Sequence, residues 1–203
     1  MLPVTLVAPE NGAFFMSDNH ALFMVLLGGK PKGRHIEQHD VYFGIETSIQ
    51  ALKPQLNAFW PEGHPLHLDG WRKVTRVGNF QISIIPATAS RSSKPLQLFF
   101  INLGGYKPGI LEEFHYKMVV VAADKLEAAR QAKQSAFYQH TGFGEAVAHI
   151  DDRYGVDVDD LCNIEEILPD SIREKWQLQI SPITDSSVPE DALWLGYQPV
   201  AEL

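Results

Sequence analysis

The chain has 203 residues, of which 45% are hydrophobic, 10% aromatic and 21% charged. These proportions are those of an ordinary globular protein and exclude a disordered or low-complexity chain. Seventeen basic residues against 25 acidic ones give a net charge of −8, which argues against nucleic-acid binding, because that function needs a strongly basic surface. The single cysteine, Cys162, rules out an intramolecular disulfide and favours a reducing compartment, so we expect a cytoplasmic protein.

The N-terminal segment, residues 1–20, is expected to form an arm that precedes the patterned sequence. It is apolar at its start but lacks a positively charged region, so it does not resemble a signal peptide. Met1 and Met16 remain alternative starts of translation. The longest apolar runs, Ala21–Leu27 and Met118–Ala123, are far shorter than the roughly 20 residues that span a bilayer. We therefore expect no contact with membranes.

A tandem repeat organises the rest of the chain. The segment Leu22–Gly29 recurs as Leu98–Gly105, 76 residues further on, and a further glycine and then a Glu-x-His motif recur at the same offset. Further along, the offset grows to 82, where His67–Asp69 pairs with His149–Asp151. The predicted organisation is as follows: a first repeat over residues 21–86, a linker over 87–95, a second repeat over 96–160, and a C-terminal extension over 161–203 that packs on the second repeat.

Each repeat is predicted to run strand, glycine loop, strand, helix and strand. The first strand, Ala21–Leu27, is continuously apolar, which is typical of a strand buried on both faces. The glycine loop Gly28–Gly33 follows, and then a second strand from about Ile36 to Ile45. Thr47–Gln50 has the pattern of a capping box and predicts a helix start, whereas Pro54 predicts that this helix is short or kinked.

The later elements follow from turn and capping patterns. Gly78-Asn79, between two alternating runs, predicts a hairpin. In the second repeat Asp124-x-x-Glu127 predicts the start of a helix that runs from Lys125 to about Tyr138. The C-terminal extension is predicted to add a helix at Pro169–Trp176 and a strand near Leu178–Ile183. The expected fold class is α+β: a tandem duplication of a ββαββ-like unit, with mostly antiparallel sheets in a pseudo-two-fold arrangement.

Three motifs carry a resemblance to a known family. They are Leu-Gly-Gly-x-x-x-Gly at residues 27–33, Glu-x-His-Asp at residues 37–40 and His-Leu-Asp at residues 67–69. With these motifs the sequence resembles the bacterial family called domain of unknown function 1543, and it is similar to a two-copy member. The resemblance is close over the first repeat and looser over the second. It implies an architecture and no particular reaction.

The densest group of chemically capable side chains lies in the recurring Glu-x-His and His-x-Asp motifs. Alternate residues of a strand share a face, so His35, Glu37 and His39 are expected to point the same way. A neighbouring strand that carries His67 and Asp69 would complete a metal site or an acid–base pair. The candidate metal ligands are His35, Glu37, His39, His67 and Asp69. The wider set of candidate ligand-binding residues is Glu37, His39, His67, Asp69, Glu113, His115, His149 and Asp151.

A structural role for the same residues stays open, because histidine–carboxylate pairs also hold strand ends together through hydrogen bonds. Their presence in both repeats is compatible with either interpretation. A structural role predicts that His39→Ala and His115→Ala both lower stability, whereas a catalytic role predicts that one of them hardly affects folding.

The glycine loops raise the question of phosphate binding. Glycine-rich backbone can present amide donors to an anion. These loops, however, lack a Gly-Lys-Ser/Thr ending and are followed by a strand instead of a helix. A turn that needs positive φ is therefore the favoured interpretation. The glycines concerned are Gly28, Gly29, Gly33, Gly104, Gly105 and Gly109.

Two functions from different classes follow. The leading prediction is a protein that binds a small ligand or a protein partner in the groove between its two repeats. The alternative is a metal-dependent hydrolase or a related enzyme that uses Glu37, His39, His67 and Asp69. The sequence assigns no catalytic residue, cofactor or partner, and it is compatible with a homodimer.

Overall fold

A computed structural model describes residues 20–87, 95–106, 109–134, 158–184 and 189–203. The described residues form ten strands and four short α-helices, and every strand pairing is antiparallel. The strands make one four-stranded sheet and two three-stranded sheets. The protein is therefore an α+β protein with antiparallel sheets and few helices.

The first sheet contains four strands in the order β10–β3–β1–β2. These strands are β1 (Ala21–Gly29), β2 (Gln38–Glu46), β3 (His67–Lys73) and β10 (Leu193–Pro199). Strand β1 is central, and Phe23, Val25 and Leu27 on it are completely buried, as its apolar run predicts. The strand continues two residues beyond the predicted end, because Gly28 and Gly29 still pair with β2. These two glycines therefore belong to a strand and not to a loop.

Helix α1 (Lys53–Phe59) covers one face of this sheet and follows a single 3-10 turn, Gln50–Leu52. The expected capping box over Thr47–Gln50 is replaced by this turn, in which the backbone N–H of Ala51 donates to Ser48 Oγ. Pro54 lies in the first turn of α1, where its missing N–H has no partner to lose. The proline therefore lies at the start of the helix and does not kink it.

The second sheet is formed by β4 (Arg76–Val77), β5 (Phe80–Pro86) and β9 (Trp176–Pro182), in that order. Gly78 has a φ of +57° and lies in the turn between β4 and β5, where the left-handed conformation favours glycine. The predicted hairpin is confirmed.

The third sheet has β6 at its centre and the order β7–β6–β8. Its strands are β6 (Gln97–Tyr106), β7 (Glu113–Ala122) and β8 (Val158–Asn163). Helix α2 (Lys125–Lys133) packs on β6 and β7. The Asp124 side chain accepts a hydrogen bond of 2.8 Å from the backbone N–H of Glu127, which confirms the predicted helix start. The predicted end near Tyr138 lies outside the described residues.

The C-terminal extension departs from its prediction. The sequence places residues 161–203 on the second repeat, and the short helix α3 (Ile164–Ile167) does contact β6 and β8. However, β9 pairs with β5 and β10 pairs with β3, which are both strands of the first repeat. The backbone groups along the free edges of β3 and β5 need partners, and the C-terminal strands supply them. The predicted helix at Pro169–Trp176 shortens to one turn, α4 (Asp170–Arg173).

One hydrophobic core joins the three sheets. It contains Phe43 from the first sheet, Ile82 from the second, and Phe100 and Val121 from the third. The rings of Phe43 and Phe100 meet edge to face with their centroids 5.4 Å apart. Two smaller clusters lie between the first sheet and α1 and between the third sheet and α2. No helix among the described residues is long and apolar enough to cross a membrane.

The first and third sheets share a register. Gly28 lies opposite His39, and Gly104 lies opposite His115, so the offset is 76 residues on both strands. Each central strand also has a register irregularity toward its third strand, and these two positions are 76 residues apart as well. The third strands themselves, β3 and β8, are related by an offset of 90 residues and not 82. His149 and Asp151, which the sequence pairs with His67 and Asp69, lie outside the described residues.

Candidate metal centre

Four side chains from two strands converge at one end of the first sheet. Glu37 directly precedes β2 and His39 lies on it, whereas His67 and Asp69 lie on β3. One ligand atom from each residue lies within 4.8 Å of the ligand atoms of the other three. We call Glu37, His39, His67 and Asp69 the His–carboxylate cluster.

Gly28 explains how side chains from two non-adjacent strands can meet. Strands β2 and β3 flank β1, so their backbones are roughly 9–10 Å apart. On β1, Gly28 lies opposite both His39 and His67. A Cβ atom at this position would lie 2.3 Å from His67 Nε2 and 2.8 Å from Asp69 Oδ2. The absence of a side chain therefore opens the space above β1 in which the cluster forms.

The nitrogen and oxygen atoms of the cluster alternate around a closed ring. His39 Nε2 lies 3.1 Å from Glu37 Oε1 and 3.0 Å from Asp69 Oδ2. His67 Nε2 lies 3.1 Å from the same glutamate oxygen and 3.5 Å from the same aspartate oxygen. Ligands of a tetrahedral ion bound at 2.0–2.1 Å are about 3.3–3.4 Å apart. The four nitrogen–oxygen distances are close to this spacing, and the four ligand atoms all lie within 4.8 Å of one another.

Hydrogen bonding leaves part of this ring unsatisfied. His67 Nε2 and Glu37 Oε1 are within hydrogen-bonding geometry at 3.1 Å. Asp69 Oδ2 is shielded from solvent and accepts no hydrogen bond from any described residue, although an imidazole nitrogen lies 3.0 Å away. A cation at the centre of the ring would satisfy this oxygen.

One side of the cluster is buried in the protein, and the other side is exposed to solvent. His67 is 4% exposed, whereas the side chains of Glu37 and His39 are 44% and 43% exposed. A bound ion would therefore be anchored from inside the protein and still be accessible to a further ligand from solvent.

The open side faces a cleft of about 660 Å³ between the first and third sheets. On the wall opposite the cluster, Asn102 Nδ2 lies 3.2 Å from His115 Nδ1 and donates to Asp160 Oδ2 at 3.3 Å. His115 Nε2 lies 3.8 Å from Glu113 Oε2. The structure thus brings Glu113 and His115 to the same cleft as the cluster. Among the described residues, however, only the cluster itself has the arrangement of a metal site.

Lys117 on β7 also lines the cleft. Partial burial lowers the pKa of its ammonium group, and the nearby Asp40 carboxylate opposes this shift. The sequence analysis did not single out Lys117, Asn102 or Asp160. The sequence does distinguish two of these residues. The offset of 76 aligns Asn102 with Leu26 and Lys117 with Val41, so the second predicted repeat has polar residues where the first has apolar ones.

Two further expectations have definite outcomes. His35 is exposed, lies in a bend before β2 and is not one of the residues whose ligand atoms converge. Gly33 and Gly109 have φ values of +84° and +78°. These two glycines therefore meet the expectation of turns with positive φ.

Comparison with known proteins agrees with the motifs. Residues 34–84 match the family described as Domain of Unknown Function (DUF1543), so this segment of the chain is similar to that family. The matched segment contains the whole His–carboxylate cluster. The chain is also similar to a solved structure, described as the crystal structure of a protein Il1583 from Idiomarina loihiensis, at 26% sequence identity and a TM-score of 0.54. This similarity covers 89% of the present chain and 98% of the other. The comparison with curated proteins gave no match.

Proposed function

We propose that this protein holds a divalent transition-metal ion in the His–carboxylate cluster and binds a small polar molecule in the adjoining cleft. The convergence of four ligand atoms, with Asp69 Oδ2 buried and lacking a hydrogen bond, carries the proposal. Imidazole ligands suit zinc, iron, nickel or copper, and a site of oxygen ligands alone suits magnesium or calcium. Two imidazoles with two carboxylates therefore favour an ion such as zinc.

The open front of the cluster gives the metal a chemical role. An ion held by Glu37, His39, His67 and Asp69 can take a water or a substrate oxygen as a further ligand from the cleft. A metal ion lowers the pKa of bound water and polarises carbonyl or phosphoryl oxygens. Metal-dependent hydrolysis or a related reaction is thus the activity that fits the site.

The two predicted repeats would contribute different parts of the site. The common register of the first and third sheets supports a duplicated ββαββ-like unit in a pseudo-two-fold arrangement. The first repeat supplies the metal ligands. The second repeat supplies the opposite wall, where Asn102, Lys117 and His115 face the cleft. A small ligand would bind between these walls.

Elemental analysis of the purified, tag-free protein tests the metal site. We expect about one equivalent of zinc, manganese or a similar ion per chain, as isolated or after incubation with the ion and removal of excess. His39→Ala removes a ligand and should abolish this binding. The matched control is His115→Ala, which alters the equivalent position of the third sheet and should retain the metal.

Thermal denaturation separates metal binding from a structural role. Added Zn²⁺ should raise the melting temperature of the wild type and of His115→Ala, because a ligand that binds only the folded state stabilises it. It should not stabilise His39→Ala. A wild-type protein that takes up no metal from zinc, manganese or cobalt solutions would overturn the proposal.

A further inference from the structure

The C-terminal strand β10 lies beside the strand that carries His67 and Asp69 of the His–carboxylate cluster. It pairs with β3, and Pro199 lies opposite His67. The pairing is irregular between Leu195 and Gln198, and Gly196 within this interval has a φ of +141°. This irregularity places the ring of Tyr197 over the imidazole of His67. The ring centroids are 4.4 Å apart and the planes are inclined by 30°.

The residues that follow β10 hold this strand in place. Val200 is buried against the core beside α1, and its backbone N–H donates to the carbonyl oxygen of Leu66 at 2.9 Å. Lys53 Nζ donates to the carbonyl oxygen of Ala201 at 2.5 Å. The Tyr197 ring therefore stays over His67 although the tyrosine itself is 70% exposed.

We propose that Tyr197 is a positioning residue of the metal centre, an inference that rests on the proposed metal-binding function. The imidazole of His67 contacts the Tyr197 ring, and its Nε2 lies so close to Gly28 that a Cβ atom there would be 2.3 Å away. These two neighbours hold Nε2 toward the other three ligand atoms. Outer groups that orient a ligating histidine typically change metal affinity 10–100-fold.

The test measures release of Co²⁺ from the full-length protein to an excess of EDTA, followed by the visible absorption of bound cobalt. Tyr197→Leu removes the aromatic ring and should speed release about tenfold or more, in the range expected for outer groups of metal sites. Tyr197→Phe keeps the ring and should release cobalt at the wild-type rate. The matched control is Trp194→Leu, because Trp194 is an exposed aromatic residue of the same strand that stacks on Trp71, with centroids 5.7 Å apart, and not on a cluster residue.

A second measurement, by NMR, uses the metal-free protein. The ring protons of His67 should show an upfield NMR shift in the wild type and in Tyr197→Phe, and Tyr197→Leu should lose this shift. Equal release rates for Tyr197→Leu and Trp194→Leu would overturn the positioning role, and so would a His67 shift that survives in Tyr197→Leu. A wild-type protein that binds no cobalt would instead overturn the proposed metal site itself.

Discussion

A single glycine on the central strand β1 determines whether the His–carboxylate cluster can form. Gly28 lies between two histidines from opposite neighbouring strands, and the ligand atoms fill the volume that a side chain would take. The recurring glycine pair is visible in the sequence. The sequence pattern favours a turn for it, because glycine most often marks a loop, whereas here Gly28 permits close approach within a strand.

At the residue scale, we expect Gly28→Ala to abolish metal binding. The added methyl group would lie 2.3 Å from His67 Nε2, so the imidazole must leave the ring of ligand atoms. The metal-free variant should lose about 1–3 kcal/mol of unfolding free energy, as is usual for overpacking. Metal content and urea denaturation measure the two effects. A variant that binds metal like the wild type would contradict this view of Gly28.

Much of the candidate site could be predicted from residue patterns. The Glu-x-His and His-x-Asp motifs contain all four members of the cluster, and their alternation on strands already suggested a shared face. The contribution of Tyr197 could not be predicted, because it arises from a register irregularity in a strand more than 120 residues away from β3. His35 lies in a bend further from β2 than Glu37, and its side chain is not among those that converge.

At the scale of elements, local signals predicted local structure well. The buried strand β1, the hairpin at Gly78 and the start of α2 all follow from neighbouring residues. The partners of β9 and β10 do not, since pairing with β5 and β3 depends on which sheet edges remain free after the rest of the chain has folded. Strand patterns alone contain no information on that choice.

The cap of α2 provides a test at this scale. Asp124→Ala removes the side chain that accepts from the N–H of Glu127 and should lower the free energy of unfolding by about 1 kcal/mol, the usual cost of losing such a cap. Asp124→Ser, which keeps a capping oxygen, should recover most of this loss. Chemical denaturation of the three proteins provides the comparison. Equal stability of the alanine variant and the wild type would show that this cap contributes nothing.

At the scale of the whole molecule, contacts between the three sheets join the two predicted repeats. The main core takes side chains from all three sheets, and the C-terminal strands complete the sheets of the first repeat. The sequence predicted two repeats, joined by a linker over residues 87–95, that pack against each other in a pseudo-two-fold arrangement. The shared core and the C-terminal strands couple the segments assigned to these repeats.

Unfolding should therefore occur in a single transition. Tryptophan fluorescence, which reports on Trp60, Trp71, Trp176 and Trp194, should change together with far-UV circular dichroism, which reports on all three sheets. Phe43→Ala, which removes the edge-to-face contact with Phe100, should lower the stability seen by both probes by about 3–5 kcal/mol. Separate midpoints for the two probes would indicate repeats that unfold independently.

Anomalous X-ray diffraction from crystals soaked in Zn²⁺ tests the central claim most directly. We predict an anomalous peak, measured at the zinc edge, within about 2.0–2.2 Å of Glu37 Oε1, His39 Nε2, His67 Nε2 and Asp69 Oδ2. The peak should be absent from crystals of His39→Ala. A wild-type crystal in which these four side chains keep their positions without a peak between them would contradict the metal site.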